Sequence, residues 1–471
     1  MPRWTSAAIW ALAHWDITKA MAPIKTIRSL IQGKLAKTTG YVFLLRGGNI
    51  AFNFAIAVVL ARLLGPDDYG QYSFILALIS MLAIPAQFGL PAMLIREVSR
   101  ARADRAMGRV RDISRWASRL SLTLSVPIAA GVIALSFLPV SFMPKEELLL
   151  LLAGSGLIIL LPLRAIRSGL IRGLDKVVLG QIPGQIAQPL LTLAFITMLA
   201  FLTPITQLTG GLTPLTALIA YSLAVLAAWA LSGLILLKLL GPLARSIGET
   251  YSIPHWKKTL VAFGLANAMV LIDQQIGILV LGITAPDSDA GLYKVAGQAA
   301  TFTAMGYVAS NMALGPGVAK AWREGRRDAV QSAVIRGSRL SAAIALPISL
   351  FFLIAGGVFL ELLFGADYVS AWPAMCLLVI AQFINCAFGS STTLLNMSGN
   401  ETANTRSFAI AIAANIGLCV LLAPSYGAAG AATAAAISVI LRNVLLWRAA
   451  HRLTGIETGF WGRLPAKGTP G

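Results

Sequence analysis

The chain has 471 residues, 57% of them hydrophobic and only 12% charged, with a mean hydropathy of +0.76. A soluble domain carries about twice that share of charge, so a soluble globular class is excluded. The net charge of +19 would suit nucleic acid only on a soluble basic face, and recurrent apolar runs of bilayer length leave no such face.

In chain order, the sequence opens with an arm, residues 1–40, in which Ala7 to Ala13 is apolar but too short to span. His14 and Asp16 follow at once, and Pro23 opposes cleavage after Ala20-Met21-Ala22. The basic stretch from Ile24 to Lys37 reads as interfacial, with Met21 an alternative start. Twelve apolar spans follow, at about 41–64, 71–95, 120–138, 147–163, 177–202, 214–237, 259–282, 291–315, 340–362, 373–397, 406–423 and 427–447. No strand-like alternation occurs, and a backbone in hydrocarbon must satisfy its own hydrogen bonds, so each span is a helix. The expected architecture is an all-α integral membrane protein with a first lobe over residues 41–240, a second over 255–450 and a tail over 451–471.

The basic residues divide sharply between the two ends of these spans. The arm, the even-numbered loops and the tail hold 34 of the 38, including eight from Arg96 to Arg119, four from Arg164 to Lys176 and six from Lys320 to Arg339. The odd-numbered loops hold only Lys145, and Arg46, Arg62 and Lys294 lie within spans. Such a bias places both termini in the cytoplasm and suits an anionic inner leaflet. Cys376, Cys386 and Cys419 sit inside spans without a pairing pattern, and His14, His255 and His451 have no metal-ligand spacing.

The two halves also resemble each other. Leu64-Gly65, Pro66-Asp67 and Gly70-Gln71-Tyr72 after the first span recur as Leu281-Gly282, Pro286-Asp287 and Gly291-Leu292-Tyr293 after the seventh. Ser118-Arg119-Leu120-Ser121 before Pro127-Ile128 recurs, at nearly the same offset, as Ser338-Arg339-Leu340-Ser341 before Pro347-Ile348. Six spans per copy is an even number, so the copies share one orientation, as in transporters that rock one bundle against another.

The run Leu60-Ala61-Arg62-Leu63-Leu64-Gly65-Pro66-Asp67-Asp68-Tyr69-Gly70-Gln71-Tyr72-Ser73 resembles the junction of the first two helices in the polysaccharide flippases of the MATE-like exporter superfamily. Phe88-Gly89-Leu90-Pro91, Arg96-Glu97 and Gly291-Leu292-Tyr293 fit the same resemblance, which covers about residues 38–450. It implies two six-helix lobes in a V shape that alternate between inward- and outward-open states in a bacterial inner membrane. It also implies a substrate: an undecaprenyl-diphosphate-linked oligosaccharide, moved from the cytoplasmic to the periplasmic leaflet beside a polysaccharide polymerase. Lipid II flippases, which are relatives, usually carry two further helices that this chain lacks.

A diphosphate headgroup calls for fixed positive charge and amides in a cavity with apolar walls. Charged groups within spans cost about 2.5–3.5 kcal/mol each on insertion scales and are therefore candidates. Arg46, Asn49 and Asn53 share one face of the first span, as a guanidinium fork with sugar-facing amides, or as a snorkelling base with interhelical glue. Gln181, Gln185 and Gln188, with Gly180 and Gly184 alongside, share a face of the fifth and either line the cavity or pack helices. The same choice applies to Gln298, Thr301, Gln382, Asn385 and Asn415. Lys294 either binds phosphate from the periplasmic side or snorkels. Asp273, deep in the seventh span, is either an ion-coupling carboxyl or the partner of a base on the first or eighth span. Arg62 is expected to pair with Asp67 or Asp68.

No G-x-x-x-x-G-K-[ST] loop, nucleophile elbow or catalytic carboxylate pair occurs, so no cofactor and no catalytic residue is expected. An ion-coupled multidrug antiporter of related fold would need acids for cationic drugs, yet the spans hold three bases against one clear acid. A membrane glycosyltransferase would need catalytic acids and a large outer loop.

Overall fold

The structure, a computed structural model, describes residues 34–104, 106–137, 144–206, 212–240 and 254–464. The readings of the arm before residue 34, of the loop holding Arg245 and of Lys467 fall outside these residues. Every regular element among the described residues is helical. In chain order they are α1 (Lys34–Leu82), α2 (Ile84–Gln87), α3 (Leu90–Ala103), α4 (Met107–Ser136), α5 (Lys145–Gly173) and α6 (Val177–Ile182). A π turn (Pro183–Ala187) leads into α7 (Gln188–Thr206), followed by α8 (Pro214–Leu240), α9 (Pro254–Thr284), α10 (Asp287–Thr303) and α11 (Met305–Arg323). Then come α12 (Arg327–Phe364), a short 3-10 turn (Ala366–Ala371), α13 (Trp372–Phe388), α14 (Ser391–Met397) and α15 (Glu401–Thr454).

Two of these helices are bent. Gly65 breaks α1 with φ 78°, and Gly427 breaks α15 with φ 51°, left-handed values that a side chain would oppose. Pro66 reinforces the first break because it lacks an N–H. Carboxylates occupy the positive ends of several helices, as with Glu146 and Glu147 on α5 and Asp287 and Asp289 on α10. Among the described residues, nine helices are long and apolar enough to cross a membrane. Large apolar side chains such as Phe201, Leu237, Ile354 and Leu421 point outward at 70–80% exposure, a belt that only hydrocarbon covers favourably.

The helices outrun the apolar spans at their basic ends. The fourth span ends at about residue 163 by hydropathy, whereas α5 continues to Gly173 and carries Arg164, Arg167 and Arg172 with it. In the same way α4 begins at Met107 and α12 at Arg327, so much of the loop charge is helical. Arg442 and Arg448 likewise belong to α15 rather than to a tail. Arginine and lysine are good helix formers, and hydropathy marks where hydrocarbon ends, not where the backbone ladder ends.

In the first half of the chain α5 packs against α3, α4 and α8, and in the second half α15 packs against α9 and α13. One large apolar core, including Leu60, Ile75, Leu157, Leu281, Val295 and Phe364, runs through both halves. At the basic end each half has its own smaller core, around Leu94 and Ile166 in one and around Val334 and Leu446 in the other. At the opposite end the two copies of the repeated turn touch each other. A side chain on Gly70 would strike the Asp287 backbone and one on Gly291 the Pro66 carbonyl, while Gln71 Nε2 donates to Asp287 Oδ2 at 2.9 Å. Arg62 joins this seam and does not pair with Asp67 or Asp68. Its Nε donates to Leu363 O at 2.8 Å and its Nη2 to Leu362 O, because the end of α12 offers carbonyls that its own ladder leaves open.

Candidate functional site

Three arginines of the first half gather where α1, α5, α6 and the π turn meet. The helix after α5 cannot run regularly here, since Pro183 and Pro189 each lack an N–H. The carbonyl of Gln185 would receive an α-helical bond from residue 189, and Asn49 supplies a donor instead, Nδ2 to Gln185 O at 3.0 Å. Gly48 permits that approach, because a Cβ there would stand 3.0 Å from Ile186 Cδ1.

On α5, Arg164, Arg167 and Arg172 each face a glycine. A side chain on Gly184 would strike the Arg164 guanidinium, one on Gly233 the Arg167 guanidinium, and one on Gly180 would stand 2.7 Å from Arg172 Cγ. Arg167 is engaged with Trp229: Nη1 donates to Trp229 O at 2.7 Å, and its Cζ lies 3.7 Å from the Trp229 ring centroid. Arg164 and Arg172 differ. The Nε of each is buried and unbonded, and neither forms an ion pair among the described residues. Arg46, exposed on α1, is close enough to Arg172 for the two charges to repel. Two carboxylates at this end are engaged elsewhere: Glu97 with Arg100 at 3.2 Å and Arg109 at 3.5 Å, and Asp175 with Arg102 at 3.2 Å.

The structure therefore brings Arg46, Asn49, Gln181 and Gln185 into one region and adds Arg164 and Arg172. The other candidates are placed differently. Asn53 is exposed and donates to Asn49 O in its own helix at 2.8 Å. Gln181 is half-buried, its Nε2 3.4 Å from Val177 O, while Gln188 is buried at 7% exposure. The three glutamines thus do not share one open face, because the wide turn between them shifts the register. Lys294 is half-buried in α10, which packs chiefly on α1 and α13, and makes no ion pair among the described residues.

Asp273 on α9 is bound within the second half. Arg442 Nη1 of α15 lies 3.0 Å from its Oδ2, and Asn415 Nδ2 lies 3.3 Å from its Oδ1. The Arg442 guanidinium also lies 4.8 Å from the Phe408 ring centroid. The sequence reading expected a base on the first or eighth span; the structure places the partner on α15 instead. A separate polar chain runs from Asn443 to Asn385 at 3.0 Å and on to Gln382 at 3.2 Å. Arg164, Arg172 and Arg442 escaped the sequence reading because each was assigned to a loop or tail. For Arg164 and Arg172 the signal that could have found them is the pair Gly180 and Gly184, small residues facing a helix that ends in arginines.

With this geometry in view, the comparisons are informative. Residues 35–322 match the family described as polysaccharide biosynthesis protein. The chain belongs to that family. Among solved structures, its fold is similar to an inward-facing multidrug resistance MATE family transporter of the MOP superfamily, at a TM-score of 0.69 and 13% identity over 86% of this chain and 94% of that one. It is also similar to the lipid II flippase MurJ in an inward closed conformation, at a TM-score of 0.64 and 14% identity over 87% of each chain. An outward-facing multidrug resistance MATE transporter aligns at a TM-score of 0.63 and 14% identity, over 90% of this chain and 97% of that one. No curated protein sequence matches the chain. The chain is thus a multi-pass membrane protein of MATE-like fold in a polysaccharide biosynthesis family.

Proposed function

We propose that the chain is a flippase that carries an undecaprenyl-diphosphate-linked oligosaccharide from the cytoplasmic to the periplasmic leaflet of a bacterial inner membrane. Twelve spans, counted by dividing α1 at Gly65 and α15 at Gly427 and by taking α10 with α11 as one more, form two six-helix lobes with both termini in the cytoplasm. The observation that carries the reading is the cluster of Arg46, Arg164 and Arg172, positive groups near the basic end with no carboxylate partner among the described residues. Guanidinium groups whose Nε is buried and unbonded are unfavourable on their own and become favourable when a diphosphate accepts their N–H groups.

In this reading the headgroup enters from the cytoplasmic leaflet, meets Arg46 first, and settles against Arg164 and Arg172 with Gln181 and Gln185 toward the sugar. The outer seam at Gly70, Gly291 and Arg62 is then closed, and it parts when the lobes rock outward. Lys294 meets phosphate from the outer side, and the Asp273 site is where an ion gradient would act. A polymerase on the periplasmic side would receive the product.

The test is a flipping assay on reconstituted vesicles with a lipid-linked diphosphate saccharide, comparing wild type with Arg46→Ala and Arg164→Ala. Wild type should move the lipid and both variants should lose most of that movement. Wild type that moves no diphosphate lipid but expels cationic dyes would replace this reading with the antiporter one.

A further inference from the structure

Beyond the end of α15 the chain turns back, and residues 456–463 lie across the basic ends of α12 and α13. Ile456 and Thr458 are 3% and 0% exposed, as buried as the core. Polar bonds fasten the segment along its length. Gln331 of α12 donates to Glu457 O at 3.3 Å and accepts from Glu457 N at 3.0 Å. Further along α12, Arg339 donates from Nε to Phe460 O and from Nη2 to Gly462 O, each at 3.1 Å. Trp447 Nε1 donates to Glu457 Oε2 at 3.1 Å, and Trp461 stands edge-on to Phe388 with ring centroids 4.9 Å apart.

What the segment covers is a broken helix. The tenth apolar span runs unbroken from about residue 373 to 397 by hydropathy, yet the backbone divides at Gly389 into α13 and α14. Such a break strips carbonyls at the end of α13 of their helical donors. The segment supplies one, since Phe460 N donates to Ala387 O at 2.9 Å. Ser338 Oγ donates to Thr458 O, and Thr458 Oγ1 meets Ser391 Oγ at 2.6 Å. Behind the break, polar groups run inward. Thr393 Oγ1 donates to Asn311 Oδ1 at 3.0 Å beside a cavity of about 10 Å³, room for one water, that Ser390 also lines. Tyr307, one turn away on α11, stands by Asn311 and Thr392 and within range of the Arg442 charge, and Arg442 holds Asp273 at 3.0 Å.

We propose that residues 456–463 are a plug that controls the access of water to the polar interior of the second half. Docked, the segment seals the broken helix; undocked, it opens a wet route from the basic end toward Asp273. Only the consequence for ion coupling rests on the reading of Asp273 given above. A mere clasp would need no break beneath it, whereas here polar groups and room for water lie behind the seal. The repeated motif points the same way. Ser338-Arg339 holds the segment, while in the first-half copy, Ser118-Arg119, the arginine is exposed. The plug thus belongs to the half that carries Asp273.

The experiment follows thiol labelling by 2-sulfonatoethyl methanethiosulfonate, a charged reagent confined to water, on protein in nanodiscs, read by mass spectrometry. Cys386 reports the interior, being fully buried on α13 beside Tyr307 and Ser341. Ser391→Cys, under Thr458 at 1% exposure, reports docking, and Cys419, also fully buried, reports the fold. In the full chain all three should label slowly. In a chain ending at Gly455, both Cys386 and the cysteine at 391 should label at least about tenfold faster, as expected when a local closing equilibrium is removed. Cys419 should stay protected. The full-length pair Gln331→Ala and Arg339→Ala, which loosens the segment without shortening the chain, should give the same pattern. Labelling at 391 with Cys386 still protected, or no change at either, overturns the proposal. Exposure of Cys419 together with Cys386 in both variants also overturns it, because the segment then holds the fold. The labelling reads the plug whether or not wild type flips a diphosphate lipid, so failure of the flippase reading shows separately.

Discussion

The two halves of this protein treat a buried arginine in opposite ways. In the second half Arg442 lies against Asp273 at 3.0 Å, with only 15% and 20% of the two side chains exposed, and Asn415 completes the carboxylate. In the first half Arg164 and Arg172 have buried, unbonded Nε atoms and no acid partner among the described residues, and Arg46 adds a further positive charge beside them. A paired charge is an internal matter and holds α9 to α15. An unpaired cluster is an unfinished interaction, which an anion from outside would complete. The contrast separates arginines that hold the fold from arginines that wait for a ligand.

The comparison can be broken most decisively in the second half. Arg442→Ala leaves the Asp273 carboxylate buried without its cation and should cost about 3–5 kcal/mol, read as a lowered unfolding temperature in detergent. Asp273→Leu combined with Arg442→Leu should recover most of that loss, since it removes both charges at once. A double variant no more stable than the single one would show that the pair is not neutralised internally.

In the first half the same kind of change should act on transport and spare the fold. Arg164→Ala or Arg172→Ala removes an uncompensated charge, so stability should hold or rise. Flipping of a diphosphate lipid should fall about 10–100-fold, the weight of one charged hydrogen bond in an ordered site. Lysine at either position should restore part of the rate, because it returns charge without the planar fork. Loss of stability equal to that of Arg442→Ala would erase the distinction between the halves. Gly184→Val sharpens the same point without touching a charge. The added branches crowd the Arg164 guanidinium, which should cost about 1–3 kcal/mol and displace it from the cluster, with transport falling by less than in Arg164→Ala.

Helicity, the apolar spans and the basic end were all readable from residue order, because each is a local property of composition. The break at Gly65-Pro66 was readable too, since glycine and proline act on their own backbone. Arg46, Asn49 and Gln185 were singled out from the sequence, but the bond from Asn49 to Gln185 was not foreseen. It depends on Pro189 withholding an N–H in one helix while another helix supplies the donor. Arg164 and Arg172 were lost for a different reason: the hydropathy of α5 ends ten residues before its backbone ladder does. A ring cluster around Phe54 was equally out of reach, because Phe302 and Phe359 meet it only through the packing of α10 and α12 on α1.

The smallest expected effect concerns that missing donor. Asn49→Ala removes the Nδ2–H that the Gln185 carbonyl accepts at 3.0 Å, in a half-buried position where Pro189 offers no substitute. The expected loss is about 1 kcal/mol, the usual net value of a neutral hydrogen bond. Asn49→Asp should be worse than alanine, because a carboxylate cannot donate to the carbonyl. That same charge, placed near Arg46 and Arg172, would supply the counter-ion that the cluster otherwise lacks. If the cluster waits for an anionic ligand, Asn49→Asp should therefore inhibit flipping more than its modest loss of stability explains, and added salt should weaken the inhibition. Equal effects of alanine and aspartate on transport would mean that the three arginines do not act together on one ligand.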